Sequence, residues 1–298
     1  MNDWKLLSSH PYGHVYLNGS RILKIVPESQ VREINFWKKL VLTESQKKNY
    51  LFPKRIEFKK NWKPFTLPKN NYYVMEMEKK KETLSKYLQK YKLTLSIERK
   101  IYKDIIPMLQ LLNNQGFVHA DIHLDNIMKD GNNYFLIDFG LCMHKDFFHT
   151  LQEIKLSDLY LWSKDDFFTL CLNLLFQGQE KLRVKNNDYK KYRQKWIRYF
   201  TKNPRDWALL KKNLKRTFDF TGHDDFLFCF QFFLKNILSS SGILSPKPGI
   251  NMYDMLTKVF LDRMFLLCAI WFPELIQLQL PTDRQIFYKN LVFKKIDL

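Results

Sequence analysis

A chain of 298 residues that is 45% hydrophobic and 16% aromatic has enough apolar surface for a sizeable core in one large domain or two lobes, which excludes a disordered chain. Its formal charge of +19 and pI of about 9.6 imply attraction to polyanions, acidic proteins or anionic membrane surfaces. Cys142, Cys171, Cys229 and Cys268 form no CxxC pair, which excludes a zinc knuckle or disulfide framework and fits a reducing compartment; no apolar run is long enough for a transmembrane segment, so a soluble, unprocessed protein is expected.

In chain order, "GHVYLNGSRILKIV" predicts two strands around an NGS hairpin turn. "ESQVREINFWKKLV" then switches to helical spacing, with Val31, Ile34, Phe36, Trp37 and Leu40 mostly on one side. "LFPKRIEF" and "NYYVMEME" read as two more strands, so residues 1–78 form a small sheet with one helix. From "TLSKYL" onward the period is helical, and Ile97, Ile101, Ile105, Leu109 and Leu112 make a core stripe that stops at Gly116. Residues 118–141, "VHADIHLDNIMKDGNNYFLIDFGL", read as two short strands around turns. Residues 158–298 are helix-like and rich in Leu and Phe. The expected fold class is α+β, with a β-rich lobe at 1–78 and a larger, mainly helical lobe at 79–298.

The polar side chains His119, Asp121, Asn126 and Asp138 interrupt apolar runs in the order H-x-D-x-x-x-x-N followed by Asp-Phe-Gly. Asp and Asn are common turn-formers, but the paired motif outweighs that reading. A second alternative, His119 and His123 with Asp121 and Asp125 as a hydrolytic metal centre, leaves "LIDFG" unexplained. The motif pair resembles the protein-kinase fold. Phosphoryl transfer rests on positioning and on metal ions held by hard oxygen ligands, which suits these residue types. The resemblance implies ATP and Mg2+ as cofactors, with Mn2+ as the alternative ion. It gives Asp138 and Asn126 to the metal, and Asp121 to orienting the acceptor hydroxyl and taking its proton.

The same resemblance extends through the first lobe. "SSHPYGHVY" matches the nucleotide-covering loop only at Gly13 and Val15, with Ser8 and His10 in place of glycines. "RILK" nominates Lys24 for the α- and β-phosphates, with Glu33 as its partner and Glu28 as a rival. "YVMEMEKKK" resembles the kinase hinge, with Met75 as gatekeeper and the backbones of Glu76 and Glu78 offered to adenine. Val15 and Ile22 would roof the adenine, and Met128 would floor it. Asp166, in "DDFFTLCLNLL", is expected to hold the catalytic loop's backbone, while Trp37, His119 and Phe139 are expected to stack as a spine.

Ala120 stands where regulated kinases carry an arginine, and the run from Asp138 to Asp166 is short, with Glu153 as a weak stand-in for an Ala-Pro-Glu motif. Activity without activation-loop phosphorylation is therefore expected. Such a compact chain is similar to the serine/threonine protein kinases of large cytoplasmic DNA viruses, which implies late expression, virion packaging and host cytoplasm. His123 replaces the lysine usual in serine/threonine kinases, and H-x-D-I-H-x-x-N also resembles the aminoglycoside- and choline-type phosphotransferases. Small-molecule transfer thus stays open, as does a polyanion-binding pseudokinase. The basic region 181–216 interleaves Tyr192, Trp196, Tyr199 and Trp207 with lysines and arginines, a composition suited to nucleic acid. A helical pair with a solvated basic face is the alternative, and acidic protein substrates are the next.

Overall fold

The computed structural model describes residues 4–10, 13–43, 46, 52–144, 158–177, 195–218, 263–276 and 278–293. The protein is α+β, and its contacts divide it into two compact units, 1–150 and 151–298. The boundary expected at residue 78 lies inside the first unit.

The first unit opens with a five-stranded antiparallel sheet ordered β1-β2-β3-β5-β4. These strands are β1 (Lys5–His10), β2 (Gly13–Asn18), β3 (Arg21–Pro27), β4 (Arg55–Trp62) and β5 (Asn70–Glu78). Side chains alternate across a strand, and β3 uses both faces. Leu23 and Ile25 join a core with Tyr16, Leu67 and Tyr72, while Ile22 and Lys24 line a cavity on the opposite face. One edge of the sheet, β1, is almost entirely exposed.

Helix α1 (Arg32–Lys39) buries Glu33, Ile34, Phe36 and Trp37. After β5 come the short strand β6 (Glu82–Thr83), α2 (Leu84–Lys90) and the long α3 (Leu95–Asn114). The Thr94 hydroxyl caps α3 by accepting from the Ile97 N–H at 3.3 Å, a contact worth about 1 kcal/mol. Burial along α3 falls on Ile101, Tyr102, Ile105, Met108, Leu109 and Leu112, with Glu98 also inside. Most of the expected stripe is therefore inward, but Ile97 is only half-buried.

Strands β7 (Phe117–Val118), β8 (Ile127–Asp130), β9 (Asn133–Leu136) and β10 (Met143–His144) complete the unit. A three-stranded sheet runs β6-β8-β9, and β7 pairs with β10. The Asp104 carboxylate of α3 accepts the Tyr134 N–H at 3.0 Å, fastening that small sheet to the helix.

The second unit is helical where described: α4 (Asp158–Leu175), α5 (195–202), α6 (Pro204–Phe218), α7 (263–271) and α8 (Thr282–Phe293). Helix α7 is buried along nearly its whole length. Around it, Arg284 donates to the Leu174 carbonyl at 2.8 Å and Gln285 donates to the Ile270 carbonyl at 2.7 Å. Asp166 is buried on α4.

The aromatic side chains expected to face nucleic acid are used differently. Trp196 is buried 4.8 Å from Phe265, Tyr199 donates its hydroxyl to Asp206 at 2.7 Å, and Trp207 lies 5.5 Å from Phe200. Packing took these rings because α5 and α6 are amphipathic, leaving lysines and arginines on the outer face. Residues 181–194, with Tyr192, lie outside the described residues, as do Cys229 and Glu153. Among the described residues no helix is long and apolar enough to cross a membrane. Cys142, Cys171 and Cys268 are free thiols, all buried.

Candidate active site

Lys24 sits at the middle of the first unit's chemistry. Its Nζ lies 2.6 Å from Glu33 Oε2 and 2.9 Å from Asp138 Oδ1. Burial opposes the ammonium, but the two carboxylates outweigh it and hold Lys24 above its ordinary value of 10.5. The rival partner, Glu28, instead accepts from the Asn71 amide at 2.9 Å.

Asp138 adopts a left-handed backbone, φ 60° and ψ 74°. A non-glycine residue there costs roughly 1–3 kcal/mol, a strain that turns its carboxylate to the cavity wall beside Lys24. Burial alone would raise its pKa, yet Lys24 and the Gly140 N–H bring it below 3.8. A Cβ on Gly140 would come within 3.2 Å of Asp138 Oδ1, so the glycine leaves that carboxylate its room.

The catalytic-type loop is tied to the same place through its backbone. Buried Asn126 donates from Nδ2 to both the carbonyl and Oδ2 of Asp121, each at 3.0 Å. Its own carbonyl accepts the Ile137 N–H at 2.9 Å, next to Asp138. His119 is fully buried and donates from Nε2 to the Ile137 carbonyl at 3.1 Å. Burial lowers its pKa to about 4, so the ring is neutral. Around it Phe139 stacks on Phe36 at 4.7 Å, nearly parallel, and meets Trp37 at 4.7 Å and His119 at 5.0 Å edge-on. The spine expected from Trp37, His119 and Phe139 thus has Phe36 as a fourth ring.

Asp121 is about one-third exposed, with His123 Nε2 at 3.7 Å from its Oδ2. The imidazole keeps the Asp121 carboxyl below its usual range, and the carboxylate raises His123 above 6.5. His119 and His123 do not converge: among the described residues no group of three His, Cys, Asp or Glu side chains has the arrangement of a metal centre.

A cavity of about 580 Å³ opens beside this network, within the range of small-ligand sites. Val15 and Ile22 from the large sheet, Met128 from the small one, and Lys24, Glu33 and Asp138 all line it. Two expectations need correction. Met75 is fully buried opposite Lys24 and does not reach the cavity; Met77, opposite Ile22, does. The Glu76 carbonyl is already taken by the Lys54 N–H at 2.8 Å, and its side chain lies 3.5 Å from Arg21, so it is unavailable to a flat heterocycle. Two residues later Glu78, paired with Arg21 at the end of β5, is exposed and lines the cavity.

Gly13 also differs from the expected phosphate contact. It is buried, and a Cβ there would meet the Ile25 carbonyl at 3.2 Å and the Lys24 stem at 3.8 Å. Its missing side chain keeps β2 close against β3 and makes space beside Lys24. Leu7, Ser8, Leu17 and Ile137 line the cavity as well, and so do Lys79, Lys80, Lys81 and Lys86.

Asp138 and Asn126 supply the hard oxygen donors suited to magnesium, one of them a carboxylate half-exposed on the cavity. Residues 61–151 match the model of the phosphotransferase enzyme family. The chain is also 26% identical over 153 residues to the probable serine/threonine-protein kinase YbdM of Bacillus subtilis (strain 168), covering 50% of this chain and 55% of that protein. The chain therefore spans about half the length of the curated relative it matches. The family match spans the catalytic-type loop and Asp138, and the two likenesses support a kinase-type phosphotransferase.

Proposed function

We propose that the protein transfers the γ-phosphate of ATP to serine or threonine hydroxyls of proteins. The observation that carries this reading is Lys24 held between Glu33 and Asp138 on a cavity that Ile137 also lines, the Ile137 N–H being bonded to the carbonyl of Asn126, which clamps Asp121. In it, Lys24 would bind the α- and β-phosphates, and Asp138 with Asn126 would hold magnesium, which would supply positive charge to offset that of the phosphates. Asp121 accepts the proton of the acceptor hydroxyl as its oxygen bonds to the γ-phosphorus and the bond to ADP breaks. Val15, Ile22, Met77 and Met128 enclose the adenine, with Glu78 lining the cavity beside them.

The match to the phosphotransferase enzyme family supports a second reading, transfer to a small-molecule hydroxyl of aminoglycoside or choline type. Offering labelled ATP and magnesium with casein, a basic protein, aminoglycosides and choline side by side separates the two. Label on serine or threonine supports the first, and label confined to a small molecule replaces it with the second. Phosphatase-treated and untreated protein are expected to be equally active, because Ala120 leaves an activation-loop phosphate without its usual arginine; a large loss on treatment would refute this. Virion and host cytoplasm, the compartments implied by the likeness to viral kinases, rest on that likeness alone.

His123 stands where a lysine would neutralise the transferring phosphate. Asp121 raises its pKa, so its positive charge persists above pH 6.5 and is lost as pH rises through that raised value. Protonation releases the bond that His123 Nδ1 accepts from the Asp125 N–H at 3.2 Å. The transfer rate is expected to fall as pH rises above 6.5 through the raised His123 value, and His123→Lys should flatten that fall. An equally steep profile in the lysine variant would remove His123 from this role.

A further inference from the structure

The cavity mouth carries more positive charge than its own acids balance. Lys79, Lys80, Lys81 and Lys86 line it, against Glu78 and Glu82. Lys80 is held by Glu78 at 3.3 Å and Asp130 at 3.7 Å, and it lies 4.6 Å from the Phe135 ring. Glu82 is taken by Lys90, from outside the lining, at 2.6 Å. Among the described residues Lys79, Lys81 and Lys86 have no carboxylate within ion-pair distance, and all three are exposed.

The register of the small sheet puts this rim beside the acceptor chemistry. Lys81 directly precedes β6, whose Glu82 and Thr83 pair with Lys129 and Met128 just after the catalytic-type loop. The Thr83 hydroxyl reaches Asp125 of that loop at 3.4 Å, and Lys86 follows on the first turn of α2. Asp121 and Asp125 of that loop have no lysine partner among the described residues, fewer than the three lysines Lys79, Lys81 and Lys86, so the rim keeps a positive excess. A polycationic acceptor such as an aminoglycoside would meet like charge here, which costs affinity and slows encounter.

Resting on the kinase reading above, we propose that Lys81 and Lys86 form a docking rim for acidic residues flanking the acceptor serine or threonine. The substrates are then acidic peptide segments, selected by charge at the mouth of the cavity. Lys79, whose N–H is bonded to the Ser20 carbonyl at 2.9 Å, adds to the same field.

The test compares kcat/KM for three peptides of one acceptor sequence with acidic, neutral or basic flanks, using wild type, Lys81→Gln/Lys86→Gln and Lys81→Glu/Lys86→Glu. Two rim charges are expected to favour the acidic over the neutral peptide by about three- to tenfold at low salt. The preference should shrink near 0.5 M salt, where the screening length is only a few ångströms, roughly. It should disappear in the glutamine variant and turn toward the basic peptide in the glutamate variant, read as the ratio of kcat/KM between peptides at saturating ATP, so that any change in nucleotide binding at the same cavity cancels. An acidic preference that survives charge reversal, or no preference in wild type, overturns the rim while leaving the kinase reading intact. No label on any peptide, with label on an aminoglycoside or choline, overturns the kinase reading itself.

Discussion

Asp121→Asn is expected to lower kcat by about 10²–10⁴-fold while leaving the KM for ATP and the thermal midpoint nearly unchanged. Asparagine has the shape of aspartate and can still accept the Asn126 amide through its carbonyl oxygen, so the clamp seen at 3.0 Å survives. What is lost is a base. His123 keeps the Asp121 carboxyl below its ordinary 3.8, so in wild type it is ionised across the neutral range. Steady-state kinetics with the preferred acceptor, beside a melting curve, makes the check. A variant retaining more than about a tenth of kcat would show that another group takes the proton, since general-base catalysis is worth at least about that much.

Lys24→Met is expected to cost both activity and fold, and the two losses can be separated. Glu33 is 5% exposed, and without Lys24 its carboxylate would be buried with no counter-charge. Breaking such a pair costs about 3–5 kcal/mol at neutral pH. The sign follows from burial, which raises the Glu33 pKa above 4.5 and is opposed in wild type by Lys24. A raised folded-state value means the penalty is absent below pH 4.5 and grows as pH climbs through that value. Wild-type Lys24 behaves differently: its stabilisation is fully present below 10.5 and is lost only as pH rises through a still higher value. The variant's urea midpoint should therefore lie closer to that of wild type at pH 4, where only the lost Lys24 contacts count, than at pH 7, where the Glu33 penalty adds to them. Adding Glu33→Leu should restore stability at pH 7 without restoring transfer. A double variant that regains activity would remove Lys24 from the chemistry.

How much of this was legible in the sequence depended on how local the cause was. His119, Asp121, Asn126 and Asp138 could be read directly, because polar side chains at fixed spacing between buried strands have few bland explanations. Pairing Lys24 with Glu33 was legible only through resemblance, and the structure decides against Glu28 because α1 begins at Arg32 and turns Glu33 inward. The placement of Met75 and Met77 was not legible. Both share a face of β5, and which one meets the cavity is set by the register Ile22↔Met77 and Lys24↔Met75, a property of two strands together. Strand β1 was missed for a related reason: it is nearly all exposed and pairs on one side alone, so "KLLSSH" shows no alternation. In the basic region, composition suggested stacking on bases, yet composition cannot say which face of a helix a tryptophan occupies.

Among the described residues, three buried thiols make the protein its own reporter of local opening. Burial pushes the Cys268 thiol well above its ordinary value, so it is inert toward alkylating reagents while the fold is closed. Cys142 belongs to the first unit, two residues from Gly140, whereas Cys171 and Cys268 belong to the second. Peptide-resolved alkylation in rising denaturant would thus date the opening of each unit independently, without introducing a label. A nucleotide that binds beside Asp138 should delay the modification of Cys142 before it affects the other two.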